Sequence, residues 1–314
     1  MVQKNTLMSG SLRAGPFRSH LVCSSIGIRA TQEEAIELAH HYGFATVEAR
    51  TEYLASLDVA ALDAVAADLA AREMTFGWAS LPVDFHGDEA FFRRDLQNLP
   101  GIVSRLRRAG VRVFSTWLAP CHDVWQFDFH FELHVRRLTL IADVLEREGF
   151  RLALEYLAPR TLRAQSSQPF VHTLAQTADL IDAIGRSSLG IMLDSFHWYT
   201  ACETPDDLLA LSLGSVLAVD LSDARAGIHV NAQRDDDREL PGATGIIDLG
   251  AFLRATAARV SDAVPVRAEP FNARLNELPD DQALAAVTES LRLAFALFNR
   301  VPENSRKNRA TLDI

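Results

Sequence analysis

A chain of 314 residues with a formal charge of −10 and 48% hydrophobic content can bury a large core, and it is a poor partner for duplex nucleic acid, which is bound by clustered Lys and Arg. Cys23, Cys121 and Cys202 are odd in number and widely spaced, which gives neither a disulfide framework nor a zinc-ligand spacing and suits a reducing cytoplasm. No apolar run approaches the ~20 residues of a membrane span, and the N-terminus lacks the apolar core of a secretory signal. Residues 1–18 read as a polar arm and 299–314 as a solvated tail.

From His20 onward, short apolar runs alternate with longer stretches of helical period. HLVCSSI (20–26) opens as the first strand, and Thr31 with Glu34 three residues on has capping-box spacing for a helix through His41. FATVEA (44–49) is the second strand, the Ala-rich stretch 59–72 the second helix and MTFGWAS (74–80) the third strand. A helix over 89–109, a strand at VRVFSTW (111–117) and a long helix ending at Arg147 lead to the fifth strand, RLALEYL (151–157). A helix over 173–184 precedes the sixth strand, LGIMLD (189–194). SVLAVDL (215–221) is the seventh and VPVRAEPF (264–271) the eighth. Eight strands alternating with helices through right-handed crossovers close into an α/β fold of the (β/α)8 TIM-barrel type, expected as one domain over 19–298. A doubly wound open sheet is the alternative, but no GxGxxG turn follows the first strand.

The stretch LGIMLDSFHWY (189–199) runs from a fully apolar strand into Asp194, with His197 three residues later. Taken alone, Asp194 reads equally as a helix cap or a site residue. Glu155, Asp220 and Glu269 then fall at the ends of the fifth, seventh and eighth strands. Each is costly to bury unless paired, hydrogen-bonded or bound to a metal. Four such acids on one rim favour a divalent cation, and an all-oxygen set suits Mg²⁺ or Mn²⁺.

LALEYLAP, LGIMLDSFHWY, VLAVDLSDA, RELPGATGIIDL and VRAEPF together resemble the sugar phosphate isomerase/epimerase group of xylose isomerase-like TIM barrels, over about residues 20–295. The resemblance implies one divalent metal, Mn²⁺ first with Mg²⁺ or Co²⁺ as alternatives, held by Glu155, Asp194 and Glu269, with Asp220 the candidate fourth ligand in place of the family's histidine. It also implies that Glu155 and Glu269 act as the acid/base pair of a sugar, keto-sugar or cyclitol isomerase or epimerase, moving a proton through a metal-stabilised enediolate. His197 matches a substrate-contacting histidine, and Arg238, before the LPG turn, an arginine aimed at the far end of the substrate. The sequence departs from the family at the seventh strand, where DLSD puts Asp220 at a histidine position and Asp223 at the aspartate position.

Beta-elimination on a keto-sugar, 3-keto-glycoside or keto-cyclitol by a lyase or dehydratase would use the same site, and a barrel that binds without catalysis is a further reading. An apurinic-site endonuclease shares the barrel, but it needs more histidines and a basic groove. The partner implied is a small polyol, keto-sugar or cyclitol, with neither nucleic acid nor membrane, and a homo-oligomer is compatible with the composition. His122 and Glu48 are lesser substrate-contact candidates, each reading equally or better as structural. Trp117, Trp125, Phe127, Phe129 and Phe131 read first as packing and second as a sugar-stacking surface.

Overall fold

The computed structural model describes residues 12–300. Eight strands carry the fold: β1 (Phe17–Leu21), β2 (Thr46–Ala49), β3 (Thr75–Ser80), β4 (Val113–Leu118), β5 (Arg151–Tyr156), β6 (Leu189–Asp194), β7 (Val216–Leu221) and β8 (Val264–Ala268). Each pairs in parallel with its neighbours in chain order, and β8 returns to β1, so the sheet closes into a TIM barrel. Closure leaves no edge strand, and the outer ring of helices covers the outward faces. β5, β6 and β7 therefore read as almost continuous apolar runs, because a parallel strand is covered on both sides.

Local chemistry starts and stops these elements where expected. Thr31 and Glu34 form the reciprocal capping box of the helix Gln32–His41. Asp58 and Asp88 cap the next two long helices by accepting from backbone N–H groups. β8 ends at Ala268, just before Pro270, which has no N–H to donate to a ladder.

The barrel starts earlier than the sequence suggests. The first strand is Phe17–Leu21, whereas Cys23–Ile26 is a 3₁₀ turn that ends at Gly27 with φ 78°. Arg13–Ala14 also pairs antiparallel with β1, so part of the polar arm expected over 1–18 is strand. Phe17 is the cause: it is fully buried and packs edge-on against Phe298, 5.2 Å between ring centroids. Residues 1–11, and the expected tail from 301 onward, lie outside the described residues. Among the described residues no helix is long and apolar enough to cross a membrane.

A small inner core of Val22, Trp78, Ala153, Met192, Leu217 and Ala218 fills the barrel beneath its carboxyl-terminal rim. That layer is the floor on which the candidate site stands.

Candidate active site

Asp194, Asp220 and Arg267 lie side by side across β6, β7 and β8, because Asp220 is in register with Asp194 on one side and Arg267 on the other. Directly opposed residues of parallel strands point to the same face, so all three enter the barrel. Glu269 lies two residues beyond Arg267 and stays tied to β7 through its N–H to the Leu221 carbonyl, 2.8 Å. Glu155 comes from β5. Asp194 and Asp220 are at most 1% exposed, and Glu155 and Glu269 at most 8%, so the four acids predicted to converge do so in a nearly dry space.

Two guanidinium groups counter them. Arg267 forks onto Asp220, with Nε donating to Oδ1 at 2.8 Å and Nη2 to Oδ2. It also reaches Glu269 Oε1 at 2.5 Å. Arg238 donates to Asp194 Oδ2 at 2.7 Å and Glu269 Oε2 at 3.3 Å through Nη1, and to Asp235 Oδ1 at 2.6 Å through Nη2. Its plane is held between Phe196 and Phe271, 4.6 and 4.9 Å from their centroids. Phe271 takes a left-handed φ of 39° to stand there, a strain that a non-glycine residue keeps only where its surroundings impose it.

Glu155 differs from the others, because its Oε1 is buried with no hydrogen-bond partner. Burial first, and then repulsion from Glu269, Asp220 and Asp194, pushes its carboxyl well above the ordinary range, with Arg267 opposing. Burial likewise raises Glu269 to about 8 against the pull of Arg267. A buried carboxylate oxygen without a partner among like charges is what a cation or a proton relieves.

His197 is fully buried. Its Nδ1 lies 3.4 Å from the Ala158 N–H and its Nε2 3.5 Å from Arg238 Nη2. Burial lowers its pKa, which keeps it neutral. Nε2 faces Asp194, Glu155 and Asp235 at 3.5 to 3.7 Å. The ring thus stands among the carboxylates and beside the Arg238 guanidinium. Two clusters lie near enough to share an ion, Glu155–Asp194–His197 and Glu155–Asp220–Glu269. Carboxylate oxygens dominate the donors, and with Glu155 Oε1 unsatisfied the residues fit a divalent cation.

Asp194 fills both roles read from the sequence. Oδ1 caps the helix Ser195–Thr200 by accepting from Phe196 N at 2.7 Å, and Oδ2 faces the site. Arg238, expected to reach toward substrate, is instead 1% exposed. Asp235 three residues earlier draws it inward, and all three of its nitrogens are engaged by Asp194, Asp235 and Glu269, so it clamps the carboxylates. His122 staples its own loop, its Nδ1 accepting from Val124 N and Trp125 N at 3.0 and 2.9 Å while it stacks on Trp125. Glu48 stands apart from the four acids and lines an open cleft of about 590 Å³ with Arg50 and Ser80. Trp117, in register with Glu155 and half exposed, stacks on His86 at 4.7 Å on the rim.

Two site residues went unnoticed in the sequence. Arg267 shares the inward face with Glu269 by simple alternation, a signal present in VPVRAEPF. Asp235 sits in the polar loop RDDDRE, where nothing marks it out. Asp223, at the family's aspartate position, is a fully buried staple. It accepts from Ala224 N and Ile247 N through Oδ1, and from Thr244 N and Gly245 N through Oδ2. Asp223→Asn turns one acceptor into a donor facing these N–H groups. It should cost about 3 kcal/mol in urea unfolding, and a loss under about 0.5 kcal/mol would show that the staple is dispensable.

The raised carboxyl of Glu269 has a defined sign. Its ordinary value is 4.5 and its folded value about 8, so between these limits the cation-free folded state binds an extra proton. The stability linked to this group is complete below the lower limit and lost as pH rises through the upper. A cation needs ionised carboxylates, so Mn²⁺ affinity should climb with pH through the folded value of Glu269, by about tenfold per unit or more because the Glu155 carboxyl is raised as well. Titration calorimetry across this window checks it, and a flat profile would contradict the raised value.

The family described as xylose isomerase-like TIM barrel matches the chain over residues 36–294. The chain belongs to this family. Within it, an inosose isomerase of Bacillus velezensis is 25% identical over 234 residues, 71% of this chain and 78% of the relative. A xylose isomerase domain protein of Alicyclobacillus acidocaldarius superposes with TM-score 0.78 at 29% identity, covering 90% of this chain and all of that one. IOLI protein, whose structure contains a zinc atom, superposes with TM-score 0.74 at 20% identity over 91% of this chain and 99% of that one. At that identity the last likeness speaks for the xylose isomerase-like barrel itself and not for its metal.

Proposed function

We propose that this xylose isomerase-like barrel is a divalent-metal-dependent isomerase or epimerase of a small sugar, keto-sugar or cyclitol, acting in the cytoplasm. The observation that carries the reading is the buried Glu155 carboxylate, partnerless at Oε1 and within reach of Glu269 and Asp220 on the carboxyl-terminal rim. The relative named as an inosose isomerase supports a cyclitol ketone as the first substrate to try.

Glu155, Asp194 and Glu269 would hold the cation, with Mn²⁺ favoured by an oxygen set. When bound, such an ion polarises a carbonyl and the hydroxyl beside it, easing loss of the proton between them. Glu155 and Glu269 are the acid/base pair. Both are buried, and burial raises both carboxyls above the ordinary range, so one can take a proton and the other return it. Return to the neighbouring carbon isomerises, and return to the opposite face epimerises. His197 stands beside Glu155 and Asp194, within reach of an oxygen that enters its side of the ring, and Arg238 keeps Asp194 and Glu269 from rotating away. Trp117 offers an exposed apolar face to a carbon ring at the rim.

Incubation of the Mn²⁺-loaded protein with inososes and ketohexoses in D₂O, followed by NMR, tests this reading. Deuterium next to the carbonyl in a new isomer supports it. An unsaturated product would establish elimination instead, and no exchange with any of these ketones would overturn it.

A further inference from the structure

The floor under the four acids is built around Arg267. Its guanidinium lies over Trp78, 5.3 Å from the ring centroid, and the His20 ring packs tilted against Trp78 at 3.9 Å. His20 is anchored to Thr46 Oγ1 at 2.9 Å. Its other flank needs Gly77, where a Cβ would lie 2.4 Å from the His20 ring. Gly77, His20 and Trp78 thus form a rigid backing that aims Arg267 at one place, and the place is Asp220.

There Arg267 takes both oxygens of Asp220 in a fork and adds one bond to Glu269 Oε1. A bidentate guanidinium–carboxylate pair in a space this dry is among the stronger charge-assisted arrangements available. Partner satisfaction around the ring is therefore unequal. Asp220 has Arg267, Asp194 has Arg238 and its helix cap, and Glu269 is shared between both arginines. Only Glu155 keeps a buried oxygen with no partner. A divalent ion brought to Asp220 would sit against a fixed positive charge that cannot be discharged by deprotonation, whereas at Glu155 it would meet a carboxylate oxygen that no donor holds.

We infer that Arg267 is an internal counter-cation that keeps Asp220 out of the metal's ligand set and holds down the divalent-cation affinity of this site. The inference rests on the metal-dependent reading above. It explains how the chain carries Asp220 on this rim without using it as a ligand: Asp220 is taken up by Arg267, and the ion is left to the acids around Glu155, whose Oε1 has no hydrogen-bond partner.

Mn²⁺ binding to the purified full chain, followed by electron paramagnetic resonance and calorimetry without substrate, is the test. Arg267→Met should tighten Mn²⁺ by about tenfold or more, as Asp220 becomes available. The gain should vanish in Arg267→Met/Asp220→Asn. Asp220→Asn alone should keep stoichiometric binding, with a loss of affinity no greater than the roughly 10- to 100-fold that an outer partner of a ligand contributes. A folded Arg267→Met that binds no tighter than a metal-binding parent overturns the inference and leaves the metal-dependent reading standing. Loss of stoichiometric binding in Asp220→Asn does the same, by making Asp220 a ligand. If the parent binds no divalent ion, the inference and that reading fall together. Should Arg267→Met not fold, Asp220→Asn decides by itself: retained binding supports the inference and lost binding overturns it.

Discussion

Glu155→Gln and Glu269→Gln should each lower kcat by about 10³-fold, in a protein that still folds. Proton transfer by a positioned side chain contributes about 10²- to 10⁴-fold, and each of these residues would also donate charge to the cation. Their effects on stability should differ, because their surroundings do. Glu155 has a partnerless oxygen among like charges, so the amide removes repulsion and Tm should hold or rise. Glu269 is bonded by both arginines, so its amide leaves Arg267 and Arg238 less well satisfied and Tm should fall. Steady-state kinetics with the ketone identified by the D₂O experiment, and calorimetric Tm, measure both. Parent-like kcat in either variant would remove the acid/base assignment, and a large fall in Tm for Glu155→Gln would mean that its carboxylate is satisfied in a way the structure does not show.

Removal of divalent metal with EDTA should abolish turnover, and Mn²⁺ should restore it better than Zn²⁺. A Lewis acid at a carbonyl supplies several kcal/mol, so the loss on stripping should reach about 10³-fold. The preference for Mn²⁺ follows from the donor atoms. Carboxylates outnumber the single imidazole, His197, in the two clusters near enough to share an ion, and a site dominated by carboxylate oxygens suits a harder ion than zinc. Elemental analysis of stripped and reconstituted protein, paired with rates, checks the point. Full activity in metal-free protein would falsify the metal-dependent reading, and clear superiority of Zn²⁺ would mean that His197 is a ligand.

The barrel and its four acids are legible in the sequence because each depends on a local, periodic signal. Strands covered on both faces must be apolar throughout, so LALEYL, LGIMLD and VLAVDL announce themselves, and the one charge each carries must stand where the strand leaves the core. Capping boxes and prolines mark the helix and strand ends for the same local reason. Phe17 shows the limit of such signals. In the sequence it is one aromatic residue in a polar stretch, and its partner Phe298 stands near the far end of the chain, so only closure of the barrel reveals that β1 begins there.

What the tertiary structure alone decided is how the charges are paired. The sequence by itself determined that Glu155, Asp194, Asp220 and Glu269 share one rim. It could not say that Arg267 answers Asp220, which depends on the register of β8 against β7. Nor could it say that Arg238 turns inward to Asp194 and away from solvent, which depends on how the loop bearing Asp235 folds over the mouth. The surroundings of His197 were hidden too, because its ring lies between a backbone N–H at Ala158, 39 residues away, and the Arg238 guanidinium. Strand identity and strand-end position are set by burial, which reads out residue by residue along the chain. The pairing of buried charges is set by register and by loop closure, which bring together groups with no sequence relation to one another, and in a low-dielectric interior that pairing decides which carboxylate is left for a metal.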